Sequence, residues 1–305
     1  MFTNILSRND FETTGVDCIC QSINSLLQIW EIGNDFIKEN GAITGITMSE
    51  FWDHHVVTVN TSFILLHQGM EALLKAHICG HSPMLLLEAK RNEWPTKPGN
   101  KHLDFSQFHQ VGGESLFITF FATDPPNHMG KHIFYNLIEE IRTIRNKIVH
   151  VGHKNNIEVK DALSYALKIL TYYFGKDKWL EFLRDRYRRN PVNINSVERI
   201  PYFWNTINFV WENIGKAECR KNLSLERQTR FYHCPSCSVD LDGLASHEEI
   251  KLSLLRPNDP LSTTVYCLIC DREHDVIRQS CDKEACPGNV ISVGGLEKIC
   301  LTCFK

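Results

Sequence analysis

Apolar side chains return at helical intervals along residues 16–39: Val16, Ile19, Ile23, Leu26, Leu27, Trp30 and Phe36. This spacing predicts one amphipathic helix ending near Gly41. A Gly/Thr-rich break over 41–47 follows. Ser49 is then placed to cap a single long helix over 51–78, with Trp52 opening its apolar face. The Pro/Gly-rich stretch 93–100 and Asp124-Pro-Pro-Asn127 predict loops, and residues 104–109 add a short helical turn. Two further helices are expected over 131–151 and 159–174, the second on Ala162, Leu163, Tyr165, Ala166, Ile169 and Leu170. Residues 176–230 are again helical, carried by Trp179, Leu180, Phe182 and Leu183, then by Phe203, Trp204, Ile207, Phe209, Val210, Trp211 and Ile214. Asn190-Pro191 makes a turn between the two runs. No strand-like alternation of any length precedes residue 230. From Phe231 the pattern changes to short β-like pieces with turns. The expected fold class is mainly α, a helical bundle followed by a small C-terminal region of short β-strands.

The helix over 131–151 carries polar side chains where apolar ones would be cheaper. Ile141, Ile144, Ile148 and Val151 recur at spacings of three, four and three and form an apolar stripe. Arg142, Asn146 and His150 recur at spacings of four and form a polar stripe beside it. Gly152 is positioned to stop the helix. Arg145 lies five residues before His150, about 140° around an ideal helix and about 7.5 Å along it. The two cannot converge on one small target from one straight helix. Either the helix end deforms or two copies of the motif meet. The plain reading is a helix C-terminus decorated with cations that suit its dipole. Upstream, Glu71 and Lys75 stand at i,i+4 in the favourable order, inside a run whose neighbours Leu65, Leu66, Met70, Leu73 and Leu74 leave little surface to water.

Taken together, Gln68-x-x-Glu71-x-x-x-Lys75 on one helix and Arg145-Asn146-x-x-x-His150 on a later one, with one more helix after it, resemble the HEPN family over roughly residues 50–175. The resemblance implies metal-independent endoribonuclease activity, usually at a site formed by two facing motifs of a homodimer. It makes Arg145, Asn146, His150 and Glu71 the catalytic candidates and Lys75, Arg142 and Lys147 the substrate-binding ones. A histidine titrating near neutrality can take or give the proton that RNA cleavage moves. A guanidinium fork can hold the charge that gathers on phosphorus. Asn146, one turn from His150, is placed to orient the ring or bind phosphate. Relatives of this kind act in toxin–antitoxin, phage-defence or RNA-processing roles. The alternative is a HEPN-like module that binds RNA, nucleotide or protein without cutting. His153, beyond Gly152, is a weaker candidate.

Composition sharpens the division of the chain. Its 305 residues suffice for about two domains, and a formal net charge of −3 predicts no polyanion partner from global charge alone. No run is long and apolar enough for a bilayer and the first ten residues do not read as a signal peptide, so a cytoplasmic protein without membrane association is expected. Of twelve cysteines, eight crowd between Cys234 and Cys303. They fall in four pairs: Cys234/Cys237, Cys267/Cys270, Cys281/Cys286 and Cys300/Cys303. Three of the pairs are C-x2-C knuckles, whose two thiolates suit one tetrahedral Zn2+. Two structural zinc sites follow. The simplest pairing joins the first four cysteines and the last four, an interleaved pairing is open, and His247 or His274 could replace a cysteine. Four protein ligands leave no catalytic position. Residues 176–230 hold twelve Lys/Arg against seven Asp/Glu, whereas 231–305 hold seven against eleven. The first segment, with Arg184, Arg186, Arg188 and Arg189 clustered, reads plainly as a solvated face but also suits an RNA backbone; Tyr187 and Tyr202 could stack bases, though packing is the commoner role for both. The acidic tail suits contact with a protein partner or inhibitor, or dimer organisation. The expected organisation is a helical bundle over 1–175, a basic helical connector over 176–230 and a double zinc ribbon over 231–305.

Overall fold

A computed structural model describes residues 2–88, 103–126, 130–151, 157–189, 196–223, 229–240, 250–293 and 298–304. The chain divides into two compact units, Met1–Lys178 and Trp179–Lys305. The segment expected to act as a connector therefore gives its helices to the second unit.

In the first unit, α1 (Arg8–Thr44) starts at a reciprocal capping box. Ser7 Oγ accepts from the Asp10 backbone N–H at 3.2 Å, and the Asp10 carboxylate accepts from that of Ser7 at 2.8 Å. It ends at Gly45, which is left-handed at φ 68°. α2 (Met48–His54) is capped by Thr47 with Glu50 closing the box, so the cap lies two residues before the expected Ser49. A break at His55 separates α2 from α3 (Val56–His81), where the sequence pattern predicts one continuous helix. α1 and α3 form an antiparallel hairpin: Gly15 faces Gly69, and Gly80 lies beside Arg8. A Cβ on Gly69 would sit 2.8 Å from the Gly15 carbonyl oxygen, and one on Gly15 2.9 Å from that of Gly69. The backbones touch there, and only glycine permits it.

Against this hairpin pack α4 (Gly113–Ala122), α5 (Lys131–Val151) and α6 (Val159–Phe174). The bounds of α5 and α6 coincide with the sequence expectation. Phe63, Leu66 and Met70 of α3, Phe120 of α4, Phe134, Ile138 and Ile141 of α5 and Tyr172 of α6 are fully buried. Phe134 stacks face to face on Tyr172 and meets Phe120 at a tilt, 5.9 Å between centroids. The same face of α5 that carries the isoleucine stripe is thus the core face. One departure from an all-helical unit is a two-residue parallel pair, β1 (Phe2–Thr3) with β2 (Leu103–Asp104).

The second unit opens with α7 (Lys178–Arg189), α8 (Ser196–Asn213) and α9 (Lys216–Leu223). After the short α10 (Pro235–Asp240) comes an antiparallel five-stranded meander. Its strands are β3 (Ser253–Leu255), β4 (Thr264–Cys267), β5 (Arg272–Arg278), β6 (Val290–Ser292) and β7 (Ile299–Cys300). Its core is small: Tyr232, Leu255, Val265, Val276, Val290 and Leu301. The Pro/Gly-rich stretch 93–100, Gly152, His153, Asn190-Pro191 and His247 lie outside the described residues. No helix of the described residues is long and apolar enough to cross a membrane.

Candidate functional site

α5 turns its apolar stripe inward and leaves one polar edge outside. Ile141 and Ile148 are buried, while Asn146, Lys147 and His150 are exposed and Arg142 and Arg145 half-buried. The helix stays α through Val151, which keeps Arg145 and His150 about 140° apart around its axis. Arg145 donates to the Asn146 Oδ1 at 2.9 Å, which steadies the guanidinium at the helix surface. Arg142 pairs with Glu139 at 2.7 Å and lies over the Phe117 ring of α4, 5.6 Å from its centre. On the other flank, Glu140 accepts from Tyr165 of α6, and burial, helped by that bond, pushes the Tyr165 phenol well above its usual pKa.

On α3, Glu71 and Lys75 are both half-buried, and among the described residues they do not form the expected i,i+4 ion pair. Glu71 instead lies with its Oε1 3.9 Å from His67 Nε2, one turn earlier. Glu71 and Arg145 make no direct ion pair among the described residues. His67, absent from the sequence-derived candidates, is 6% exposed, and its Nε2 has no hydrogen-bond partner. Burial holds its pKa below the ordinary 6.5; Glu71 pulls upward, and Arg145 and Arg142 push downward. His67 is therefore neutral at pH 7, within electrostatic reach of both arginines of α5. Its i,i+4 relation to Glu71 was visible in the sequence. Its relation to Arg145, 78 positions on, was not.

The eight clustered cysteines form two groups, Cys234/Cys237/Cys267/Cys270 and Cys281/Cys286/Cys300/Cys303, with all sulfurs of a group within 4.8 Å of one another. Across the first, Cys234 and Cys270 are 3.8 Å apart and Cys237 and Cys267 3.9 Å. Across the second, Cys281 and Cys303 are 3.8 Å apart and Cys286 and Cys300 3.9 Å. A tetrahedron with metal–sulfur bonds of about 2.3 Å has edges of about 3.8 Å, whereas a disulfide would need about 2.05 Å. The residues fit a tetrahedral metal ion, in sequential and not interleaved pairing.

The local backbone explains why. In both Cys267–Cys270 and Cys300–Cys303 the residue after the second cysteine bonds back to the carbonyl of the first: Asp271 N–H to Cys267 at 3.0 Å, Phe304 N–H to Cys300 at 2.7 Å. Both Asp271 and Phe304 have positive φ, 60° and 54°. Backbone N–H groups of Cys237, Lys283 and Gly288 point at the sulfurs of Cys234, Cys281 and Cys286, each at 3.4 Å. Gly288 also makes room, since a Cβ there would lie 2.7 Å from Cys300 Sγ. His274 does not displace a cysteine. Its Nε2 lies 3.5 Å from Cys234 Sγ, close enough to donate to a thiolate.

Arg184 departs from the expected cationic strip. It is buried, donates to the Leu268 carbonyl inside the Cys267–Cys270 turn at 2.8 Å, and pairs with Asp271 at 3.1 Å. Its charge is used to seat the knuckle on α7. Tyr187 is buried against Tyr202, 5.1 Å between ring centres, which favours packing over base stacking. No protein-family model, curated protein or solved structure matches the chain.

Proposed function

We propose that the helical unit is an endoribonuclease of HEPN type working without a metal ion, and that each four-cysteine group holds a structural Zn2+. One observation carries the first reading: a helix packed into the core exposes Asn146 and His150 and keeps Arg142 and Arg145 half-buried, with Arg145 bonded to Asn146. Among the described residues no group of metal-ligating side chains accompanies them, and the metal-capable groups are the two cysteine sets.

The residues supply what transesterification needs. The 2′-oxygen attacks phosphorus and forms the new O–P bond as the P–O5′ bond breaks. His150 accepts the 2′-hydroxyl proton, a second acid protonates the leaving oxygen, and the products are a 2′,3′-cyclic phosphate and a 5′-hydroxyl. Arg145 stabilises the non-bridging oxygens, where a charge-assisted fork is strongest, and Arg142 and Lys147 hold flanking phosphates. Because the regular helix keeps Arg145 and His150 apart, a second copy across a two-fold axis completes the site. Zinc fits the second unit because four thiolates at tetrahedral edges leave no open position. The ion supplies folding free energy, and no reaction step passes through it.

The test compares wild type with His150→Ala on a panel of RNAs in magnesium-free buffer, without chelator. Wild type is expected to leave 2′,3′-cyclic phosphate ends, and the variant to be slower by about 10²–10⁴-fold, the usual share of a positioned acid or base. Equal cleavage by both places the activity elsewhere. Absence of cleavage by both favours a binding module without catalysis.

A further inference from the structure

His67 is a buried imidazole whose Nε2 has no hydrogen-bond partner and lies 3.9 Å from the Glu71 carboxylate, with the charges of Arg145 and Arg142 acting on it. The reading developed for it rests on the proposal that the outer edge of α5 binds RNA. Glu71 is the nearest carboxylate, 3.9 Å away, too far for a hydrogen bond but close enough for one to form with a small side-chain movement. Of the α5 carboxylates, Glu139 is engaged by Arg142 and Glu140 by Tyr165. The charges acting on His67 come from Glu71 of its own helix and from Arg145 and Arg142 of α5. Among the described residues α1, α4 and α6 contribute none of them.

A phosphodiester seated on Arg142 and Arg145 adds a negative charge, opposite in sign to the two that help hold His67 neutral. A protonated His67 has the Glu71 carboxylate 3.9 Å away to receive its N–H. We propose that a phosphodiester bound against Arg142 and Arg145 draws one proton onto His67, which then closes on Glu71, so that nucleic-acid binding at this edge is proton-coupled. The physics favours uptake twice. The incoming phosphate offsets the arginine charges that keep His67 neutral, and the protonated Nε2 gains the acceptor it lacks. His67 is thereby a positioning residue: it touches no substrate atom and acts through its proton and its pairing with Glu71. Binding strengthens as pH falls, over the interval between the free and bound titration midpoints, and is flat outside it.

A mixed-sequence 2′-O-methyl RNA decamer, which lacks the attacking hydroxyl, serves as the probe. Its affinity is measured by fluorescence anisotropy from pH 5.5 to 8 at fixed ionic strength. Proton uptake is read by calorimetry in buffers of different ionisation enthalpy. Wild type is expected to bind up to about tenfold more tightly per pH unit within the interval, taking up close to one proton. His67→Gln is expected to bind with a flat pH profile, and Arg145→Ala to lose binding at every pH. Flat binding by wild type that Arg145→Ala still abolishes overturns the role of His67 and leaves the RNA-binding reading intact. A His67→Gln profile identical to wild type does the same. Failure of wild type to bind, or undiminished binding by Arg145→Ala, overturns the reading of the site and the proposal with it. Should His67→Gln fail to fold, imidazole NMR titration of wild type decides. A low-titrating histidine that gains a proton on addition of the decamer supports the proposal, and its absence overturns it.

Discussion

The two units reach order by different means, and the contrast explains why one announces its chemistry and the other does not. The cysteine-rich part of the second unit has a core of six buried side chains and five strands of two to seven residues. On the proposal that each cysteine group holds Zn2+, coordination adds to what so short a sheet buries. Its ligands are accordingly complete within one chain, at distances near a tetrahedral edge. The helical unit has a large core that includes Phe63, Leu66, Met70, Phe120, Phe134 and Tyr172. The edge proposed as its site is left over from packing: exposed at His150 and Asn146, half-buried at Arg145 and Glu71, and divided in one chain by the pitch of the helix.

The largest expected effect breaks that contrast at the metal. Cys267→Ser removes a ligand buried at the centre of the first group, in the turn that Arg184 seats. Structural zinc contributes about 10–16 kcal/mol in small zinc domains, so bound zinc should fall from two ions to one per chain. Strands β3 to β5 should lose amide protection while helices α1 to α6 keep theirs. Metal analysis and hydrogen exchange check both points, and two ions retained per chain would refute the assignment.

A smaller effect sharpens the contrast from the other side. Gly69→Ala places a methyl group 2.8 Å from the Gly15 carbonyl and 2.7 Å from Ile19. Alanine gains about 1 kcal/mol of helix propensity, but backbone cannot yield as a side-chain tip does. Overpacking of about 1–3 kcal/mol wins, and more where the hairpin must open. The melting transition of the helical unit should fall with zinc content unchanged. An unaltered or raised melting temperature would show that the α1–α3 contact is looser than the backbone approach implies.

What was legible in the sequence follows the same division. α5 and α6 could be delimited because their apolar periods are strong, and Gly152 marked the first of them as ended. The cysteine pairs stated their own chemistry, since C-x2-C spacing is a local property. Thr47-x-x-Glu50 was a capping box in plain view beside the less apt Ser49. The break at His55 had no glycine or proline to mark it. α4, whose Leu116-Phe-Ile-Thr-Phe-Phe121 run is aromatic and β-branched, shows no clear helical stripe. Arg184 and His67 were illegible for a different reason. Each owes its role to a partner far along the chain, the Leu268 carbonyl 84 positions on and Arg145 78 positions on, and neither carries a local mark of it.

The smallest effect separates the units by pH. His67 and His77 both titrate below 6.5 when folded, chiefly through burial. In the unfolded chain they take up protons around pH 6.5, so below it the unfolded state binds more protons and stability falls. The loss begins near pH 6.5, grows until the depressed folded values are reached, and is constant below them. Asp10 and Glu50, held low by their capping bonds, act in a later window: their contribution is present above about pH 4 and lost as pH falls through their depressed values. The zinc sites also weaken in acid as thiolates protonate, but added zinc opposes that loss by mass action. Denaturant unfolding of the helical unit between pH 7 and 5 should therefore show a decline that excess zinc does not rescue and that His67→Gln reduces. A decline that zinc abolishes would assign the acid sensitivity to the cysteine groups and remove the buried histidines from the account.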